Sequence, residues 1–349
     1  MAKIAIITDT HFGARDGRHI FHDFFAKFYT NTFFPTLKKY KVDTVLHLGD
    51  LFDRRKYIDY FSLMRSKEYF FEPMRDYKMH VLVGNHDIAL RNSLDINSPE
   101  LLLAEYKNIL PISDPEVIDV HGVSFLMLPW ICSDNYAKSM DMIKTAKADL
   151  CCGHFEISGF SMYKGMESHE GFDSGTFDRF DMVFSGHYHH RSSKSNIHYL
   201  GNPYEITHMD YNDPRGFHIF DTKTRELTFI GNPYTLFDRF VYDDTNYDPA
   251  VIDVSTFKDK FLKIVVQKKT DFYKFDTFLD RVYNSGAYDI KILEDVSDMT
   301  ASDLDDSIDI EDTQSILHHY IKSAEVDVDR EKLSSYMKQL YVEAVNLKV

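Results

Sequence analysis

Five times in this chain a short apolar run, rich in β-branched residues, ends in a cluster of Gly, Asp, Asn or His. The runs are KIAIITDTH (3–11), TVLHLGDLFD (44–53), HVLVGNHD (80–87), ADLCCGHFE (148–156) and DMVFSGHYHH (181–190). Each apolar part has the length and composition of a buried strand. The segments between them are long enough for helices, and residues 19–40 carry a broad apolar face. The stretch 98–106 opens with Ser98 as the expected N-cap and Pro99 at the first helical position. Strands alternating with helices predict a layered α/β fold. In such folds binding sites gather where strands end and loops begin. All five polar clusters sit at that edge.

The texture changes after about residue 210. The stretch 216–233 reads as paired strands. The runs 261–269, 275–286 and 288–295 read as a strand–helix–strand unit. We therefore expect a first domain over 1–240 and a small α+β capping domain over 241–296. Residues 295–312 hold eight acids and no Lys or Arg, so self-repulsion predicts an acidic linker, placed at 297–312. C-terminal helices are expected over 313–349. There Leu333, Met337, Leu340, Ala344 and Leu347 recur at spacings of four and three, a heptad-like seam. The seam either folds back on its own domain or docks on a partner, and the acidic tether favours docking.

Hydrophobic residues make up 44% of the chain, enough for a large core. No apolar run reaches the roughly 20 residues that span a bilayer. The opening MAKIAIITDTHFG lacks a cleavage-site pattern and reads as a first strand. Three cysteines without CxxC spacing argue against a disulfide framework and a thiolate zinc site, and fit a reducing, cytoplasmic setting. A net charge of −15 argues, taken alone, against a nucleic-acid partner. Acids that bind cations would reverse that local field.

The clusters carry a donor set. Asp9 and His11 are two apart at a strand end, and Asp50 follows Gly49. Asn85 and His86 follow Gly84, His154 follows Gly153, and His187 and His189 follow Gly186. Glycine lets the backbone turn sharply beside them. Oxygen and nitrogen donors without thiolate favour manganese, iron or zinc over calcium. Asp9, His11, Asp50, Asn85, His154, His187 and His189 are too many for one ion. They suit two ions about 3.5–4 Å apart with a bridging carboxylate. Asp50, central in the order, is the expected bridge, with His86 in reserve. His190 points the other way in an extended segment and is read as a residue behind the ligands or at the surface, and His47 as a local hydrogen-bonding or packing residue. Arg15, Arg18, Arg54, Arg55, Lys56, Arg191 and Lys194 lie next to the clusters and are candidates for binding the phosphate groups of a substrate.

The joint pattern DxH, GDxxD, GNHD, GH, GHxH resembles the calcineurin-like metallophosphoesterase superfamily. The following YLGNPYE (199–205) is similar to a turn of the SbcD nuclease family, bacterial and phage relatives of the eukaryotic double-strand-break repair nuclease. That resemblance implies a metallophosphoesterase β-sandwich flanked by helices, with a capping domain and C-terminal helices. It implies Asp9, His11, Asp50 and His189 on one ion, Asp50, Asn85, His154 and His187 on the other, and manganese as the metal. His86 becomes the residue that stabilises the transition state and leaving group. The implied activity is exonuclease on duplex DNA, endonuclease on single-stranded DNA, or both, in recombination and double-strand-break repair. The implied partner is an ABC-type coiled-coil ATPase, bound through the C-terminal helices. Family members are commonly homodimers through nuclease-domain helices, and the apolar stretch 20–29 serves either that contact or the core. Asp53 stands where many relatives carry His, which leaves the exonuclease–endonuclease balance open. It is expected to hold His86 or a loop. Two rivals remain: a phosphomonoesterase or cyclic-nucleotide phosphodiesterase on the same metals, and a non-catalytic scaffold. The extra domain, tether and seam favour the nuclease over the first, and the intact donor set disfavours the second.

Overall fold

The computed structural model describes residues 3–294, together with the single position Leu333. The expected linker at 297–312 and the seam residues Met337, Leu340, Ala344 and Leu347 lie outside the described residues. The chain divides into two compact units. Of the described residues, one comprises those up to 238 with 259–261, and the other 239–258 with those from 262 onward.

The first unit is a β-sandwich. One six-stranded sheet runs in the order 227–231, 216–221, 3–7, 44–47, 78–82, 109–112. Its last four strands are parallel, and the strand Gly216–Asp221 joins Lys3–Ile7 antiparallel. The other sheet runs 192–194, 197–199, 182–186, 150–154, 123–128, 116–120. Ile4, Ile6, Leu46 and Leu82 on one sheet pack with Phe125, Met127, Leu150, Cys152 and Phe184 on the other. Buried parallel strands carry near-continuous apolar runs for this reason: both faces are covered.

Helices cover the outer face of the first sheet. The expected 19–40 helix runs as His19–Phe28, a π-helical turn Tyr29–Phe33, and Phe34–Tyr40. A second π turn, Lys67–Phe71, lies between Tyr60–Ser66 and Glu72–Met74. Each π turn comes just before a proline, Pro35 and Pro73. Proline lacks an N–H and crowds the carbonyl four residues back. The ladder widens there instead of breaking, with Phe34 N bonded to Tyr29 O and Glu72 N to Lys67 O. Phe21, Phe24, Phe25 and Phe28 are buried within their own chain, so these rings of the stretch 20–29 belong to the core.

The cap of the short helix Ser98–Leu102 differs from expectation. Asn97, not Ser98, is the N-cap, and its side chain accepts from Glu100 N at 2.9 Å. The Ser98 hydroxyl turns to Asp87 Oδ1 at 3.2 Å.

The second unit holds most of a three-stranded sheet of Phe237–Asp243, Phe261–Lys268 and Asp289–Leu293. The helix Phe272–Tyr283 packs Phe275, Phe278 and Val282 against Leu262, Ile264 and Val266. It begins three residues earlier than the apolar pattern suggests, because Asp271 caps it.

Glu205, in the turn after the second sheet, is 2% exposed. Its Oε2 accepts from Leu236 N and Phe237 N at 2.5 and 2.8 Å. Burial pushes its carboxyl up from 4.5 to about 7, against the pull of those two N–H groups. Between pH 4.5 and 7 the folded chain therefore holds a proton that the unfolded chain has released. The stability contribution falls as pH rises through that window. Glu205→Gln keeps an acceptor and cannot ionise. We expect it to be more stable than wild type at pH 8, on the order of 3 kcal/mol, and close to wild type at pH 4.5. Melting curves at the two pH values check this, and the same difference at both would rule it out.

Candidate metal centre

The backbone around the seven donors is unusual. Asp9, His11, Asp50 and His187 all have positive φ, at 52°, 43°, 53° and 82°. Asp and His are among the few residues that enter this left-handed region readily. Sheet-like hydrogen bonds continue into these loops: Asp9 N donates to Gly49 O and His11 N to Asp50 O, both at 3.1 Å. His187 N donates to Asp9 Oδ1 at 3.0 Å and His86 N to Asp50 Oδ1 at 2.9 Å. Two glycines allow the approach. A Cβ on Gly84 would lie 2.2 Å from Asp50 Oδ1. Gly49, at φ +101°, would place one 2.6 Å from His154 Nδ1.

The side chains then fall into groups. Asp9, His11 and His189 bring donor atoms within 4.8 Å of one another, and so do Asp50, His154 and His187. His11, Asp53 and His86 form a third such set. Asn85 Oδ1 joins the second, 2.9 Å from His154 Nε2 and 3.2 Å from His187 Nδ1. Asp50 Oδ2 lies between the groups, 3.2 Å from His154 Nε2 and 3.8 Å from His11 Nε2. His11 Nε2 and His189 Nε2 face each other at 3.1 Å.

His86 stands beside this arrangement. Its Nδ1 donates to the Asp53 carbonyl at 2.5 Å, and its Nε2 is 3.9 Å from Asp50 Oδ2. The Asp53 carboxylate turns to His11, Oδ1 to Nδ1 at 3.4 Å. His47 bonds Thr10 Oγ1 at 3.0 Å and His190 bonds Asp213 at 2.8 Å, and neither belongs to a donor group.

The sequence matches the calcineurin-like phosphoesterase family over residues 2–191, a span that contains every one of these donors. The chain belongs to that family. This phosphoesterase is 33% identical over 312 residues to Exonuclease subunit 1 of Enterobacteria phage T4, covering 88% of this chain and 89% of that one. It is also similar to an archaeal phosphodiesterase structure, at 14% identity and a TM-score of 0.33, over 66% of this chain and 99% of that one. Purple acid phosphatase PPD1 from yellow lupin seeds is similar at 13% identity and a TM-score of 0.35, over 55% and 39%.

The phosphoesterase's own charges show that the donor set fits divalent cations. Burial drives the Asp9 carboxyl up, reinforced by its neighbour Asp50. Burial also opposes ionisation of Asp50, but the surrounding His154, His86 and His11 rings outweigh it and hold that carboxyl well below its usual range. His154 is lifted to about 9: burial lowers it, and Asp50 and Asp9 prevail. His189 is driven down by burial and by His11 beside it. The cradle thus favours positive charge next to Asp50, where a cation can take the place of a proton on His154 Nε2. The Nδ1 of His154 donates to Leu48 O at 2.8 Å, which leaves Nε2 turned to the donors.

Four residues without a role in the sequence reading support the phosphoesterase's centre. Asp87 is fully buried and accepts from Leu51 N, Phe52 N and Gly84 N at 3.0–3.2 Å. Arg215 is 4% exposed and donates to the His189 carbonyl, Asn202, Asp210 and Asp213. Glu156 Oε1 lies 3.7 Å from His187 Nε2. Trp130 places its ring 5.3 Å from His187 and 6.0 Å from His154. Only Asp87 had a local signal, as the last residue of GNHD.

The basic candidates are placed unequally. Lys56, Arg18, Arg191 and Lys194 are exposed, while Arg15, Arg54 and Arg55 are half-buried. Arg54 is paired with Asp16 and Tyr57. Arg18 and Arg191 lie over the rings of Phe261 and Phe229, at 5.3 and 4.4 Å. Arg15 lies over Phe21 at 5.8 Å. Among the described residues, no helix is long and apolar enough to cross a membrane.

Proposed function

We propose that this phosphoesterase is a dinuclear-metal deoxyribonuclease that uses manganese. The observation that carries the reading is Asp50 Oδ2, which lies between two donor groups with His86 Nε2 3.9 Å away. The likeness to Exonuclease subunit 1 along 88% of the chain supports DNA as the substrate. Asp9, His11, Asp50 and His189 would hold one cation, and Asp50, Asn85, His154 and His187 the other. Bound there, two divalent cations would supply charge neutralisation for a phosphodiester and a lowered pKa for the attacking water. His86 works from the side. Its Nδ1–H is fixed on the Asp53 carbonyl, so Nε2 is turned toward the donor groups, where in protonated form it would give its proton to the leaving 3′ or 5′ oxygen. The deciding assay compares linear duplex DNA, single-stranded DNA, supercoiled DNA and an aryl phosphate diester, each with manganese and with chelator. Metal-dependent loss of DNA supports the nuclease, and aryl ester turnover without DNA cleavage supports the small-substrate phosphodiesterase instead. The same substrates separate exonuclease from endonuclease action.

Arg15, Arg18, Arg54, Arg55, Lys56, Arg191 and Lys194 are the proposed contacts to DNA phosphates. Binding then weakens steeply with salt, with a slope near −0.9 per neutralised phosphate on duplex DNA. Arg54, Arg55 and Lys56 changed together to Ala are expected to make that slope shallower by about 1–3. An unchanged slope in anisotropy titrations removes them from the interface.

The partner is proposed to be an ABC-type coiled-coil ATPase, held by the seam Leu333, Met337, Leu340, Ala344 and Leu347. Charges at Met337 and Leu340, both changed to Asp, are expected to abolish co-purification with the ATPase and spare manganese binding. A variant that still co-purifies places the contact elsewhere.

A further inference from the structure

We propose that Glu156 is a positioning residue for His187, holding the Nε2 side of its ring so that Nδ1 faces the second metal position. The inference rests on the dinuclear reading above. Three observations support it.

The two imidazoles of the second group are turned in opposite senses. His154 presents Nε2 to Asp50 and Asn85, with Nδ1 tied to the Leu48 carbonyl. His187 presents Nδ1 to Asn85 at 3.2 Å, and its Nε2 faces Glu156 Oε1 at 3.7 Å. An imidazole that binds metal through one nitrogen commonly carries its proton on the other, and a carboxylate there fixes tautomer and ring angle. A backbone carbonyl does this for His154, and Glu156 is placed to do it for His187.

The backbone of Glu156 is clamped on both sides. Buried Tyr199 donates its hydroxyl to Phe155 O at 2.9 Å and accepts from Ile157 N at 3.0 Å. Phe155 N donates to Ser185 Oγ at 3.1 Å, and Phe172 N to Glu156 O at 2.8 Å. Gly171 permits this last approach: a Cβ there would lie 2.3 Å from Glu156 O.

The ring is also fenced from other directions. Trp130 lies 5.3 Å from His187, and Tyr188, stacked on Tyr199 at 4.6 Å, lies 5.2 Å from it. Glu156 Oε1 lies on the Nε2 side of the ring.

The test uses the full-length protein stripped of metal and titrated with Mn2+. Electron paramagnetic resonance separates a coupled pair from single ions. Trp130 is the sole tryptophan and sits on the second group, so its fluorescence follows that position. Wild type is expected to take up two ions. Glu156→Ala is expected to weaken the second by 10–100-fold, with the first unchanged. Glu156→Gln, whose amide oxygen can take the place of Oε1 beside Nε2, is expected to recover most of the loss. The melting temperature of the metal-free protein is expected to be equal in all three. Wild-type affinity for both ions in Glu156→Ala overturns the proposal. So does an equal loss in both variants accompanied by a lower melting temperature, which marks a merely structural residue. A variant that gains DNA affinity with unchanged metal binding overturns it too, since Glu156 then acts only as a negative rim. Wild type that binds a single ion removes the dinuclear reading and this role with it. Two ions in wild type, with Glu156→Ala unaffected, remove this role alone.

Discussion

His86→Asn is expected to lower kcat on DNA by roughly 10²–10⁴-fold while the protein still takes up two manganese ions. The reason is geometric. The backbone N–H of His86 is the part that serves Asp50, donating to Oδ1 at 2.9 Å, and asparagine keeps it. The ring is held separately, with Nδ1 on the Asp53 carbonyl and Nε2 toward the centre. Asparagine cannot carry a titrating proton to that position, so the leaving oxygen departs unprotonated. KM is expected to change little, because the ring acts on the reacting bond and not on ground-state binding. The outcome that sinks this assignment is loss of an ion. His86 would then be a ligand, as its grouping with His11 and Asp53 allows. Single-turnover cleavage and metal content per chain, measured on the same sample, separate the two.

The donor set is legible in the sequence because each member lies at or just beyond a strand end. Local order carries it: Asp9 and His11 are read from one run, His187 and His189 from another. Strand type is legible for a related reason, since strands covered on both faces must be apolar throughout. What stays hidden depends on contacts between distant segments. Glu156 follows His154 in the chain but acts on a ring 31 positions away. Arg215 supports the His189 carbonyl from the start of the strand Gly216–Asp221, and nothing in its neighbourhood announces that. The helix cap shows the same limit at short range. Asn97 and Ser98 are both good N-caps by type. The choice falls to Asn97 because Ser98 is drawn to Asp87, which comes from another loop. Asp53 is half legible. Its place beside the centre follows from GDLFD, but its carboxylate faces His11, and only its carbonyl holds His86.

Asp87→Ala is expected to destabilise the metal-free protein by about 3–5 kcal/mol. It is the largest loss of stability we anticipate from any single change near the centre. Asp87 is fully buried, and its two oxygens accept from Leu51 N, Phe52 N, Gly84 N and the Ser98 hydroxyl. A buried N–H left without an acceptor costs about 1–3 kcal/mol. Three are exposed to that loss at once. An opposing effect is present: burial, then repulsion from Asp50, pushes the Asp87 carboxyl up to about 6, so deletion also relieves strain. The three orphaned donors outweigh it, because each buried N–H left without an acceptor costs about 1–3 kcal/mol. Asp87→Asn keeps the shape but turns an NH2 toward backbone donors, so it falls between alanine and wild type. The clipped backbone is that of Leu51, Phe52 and Gly84, the neighbours of Asp50 and Asn85. Metal affinity is therefore expected to fall together with stability, unlike in Glu156→Ala. Urea unfolding with and without manganese measures both effects. If Asp87→Ala unfolds within 1 kcal/mol of wild type, on the scale of an ordinary surface change, the clip between the two loops is not what shapes the centre.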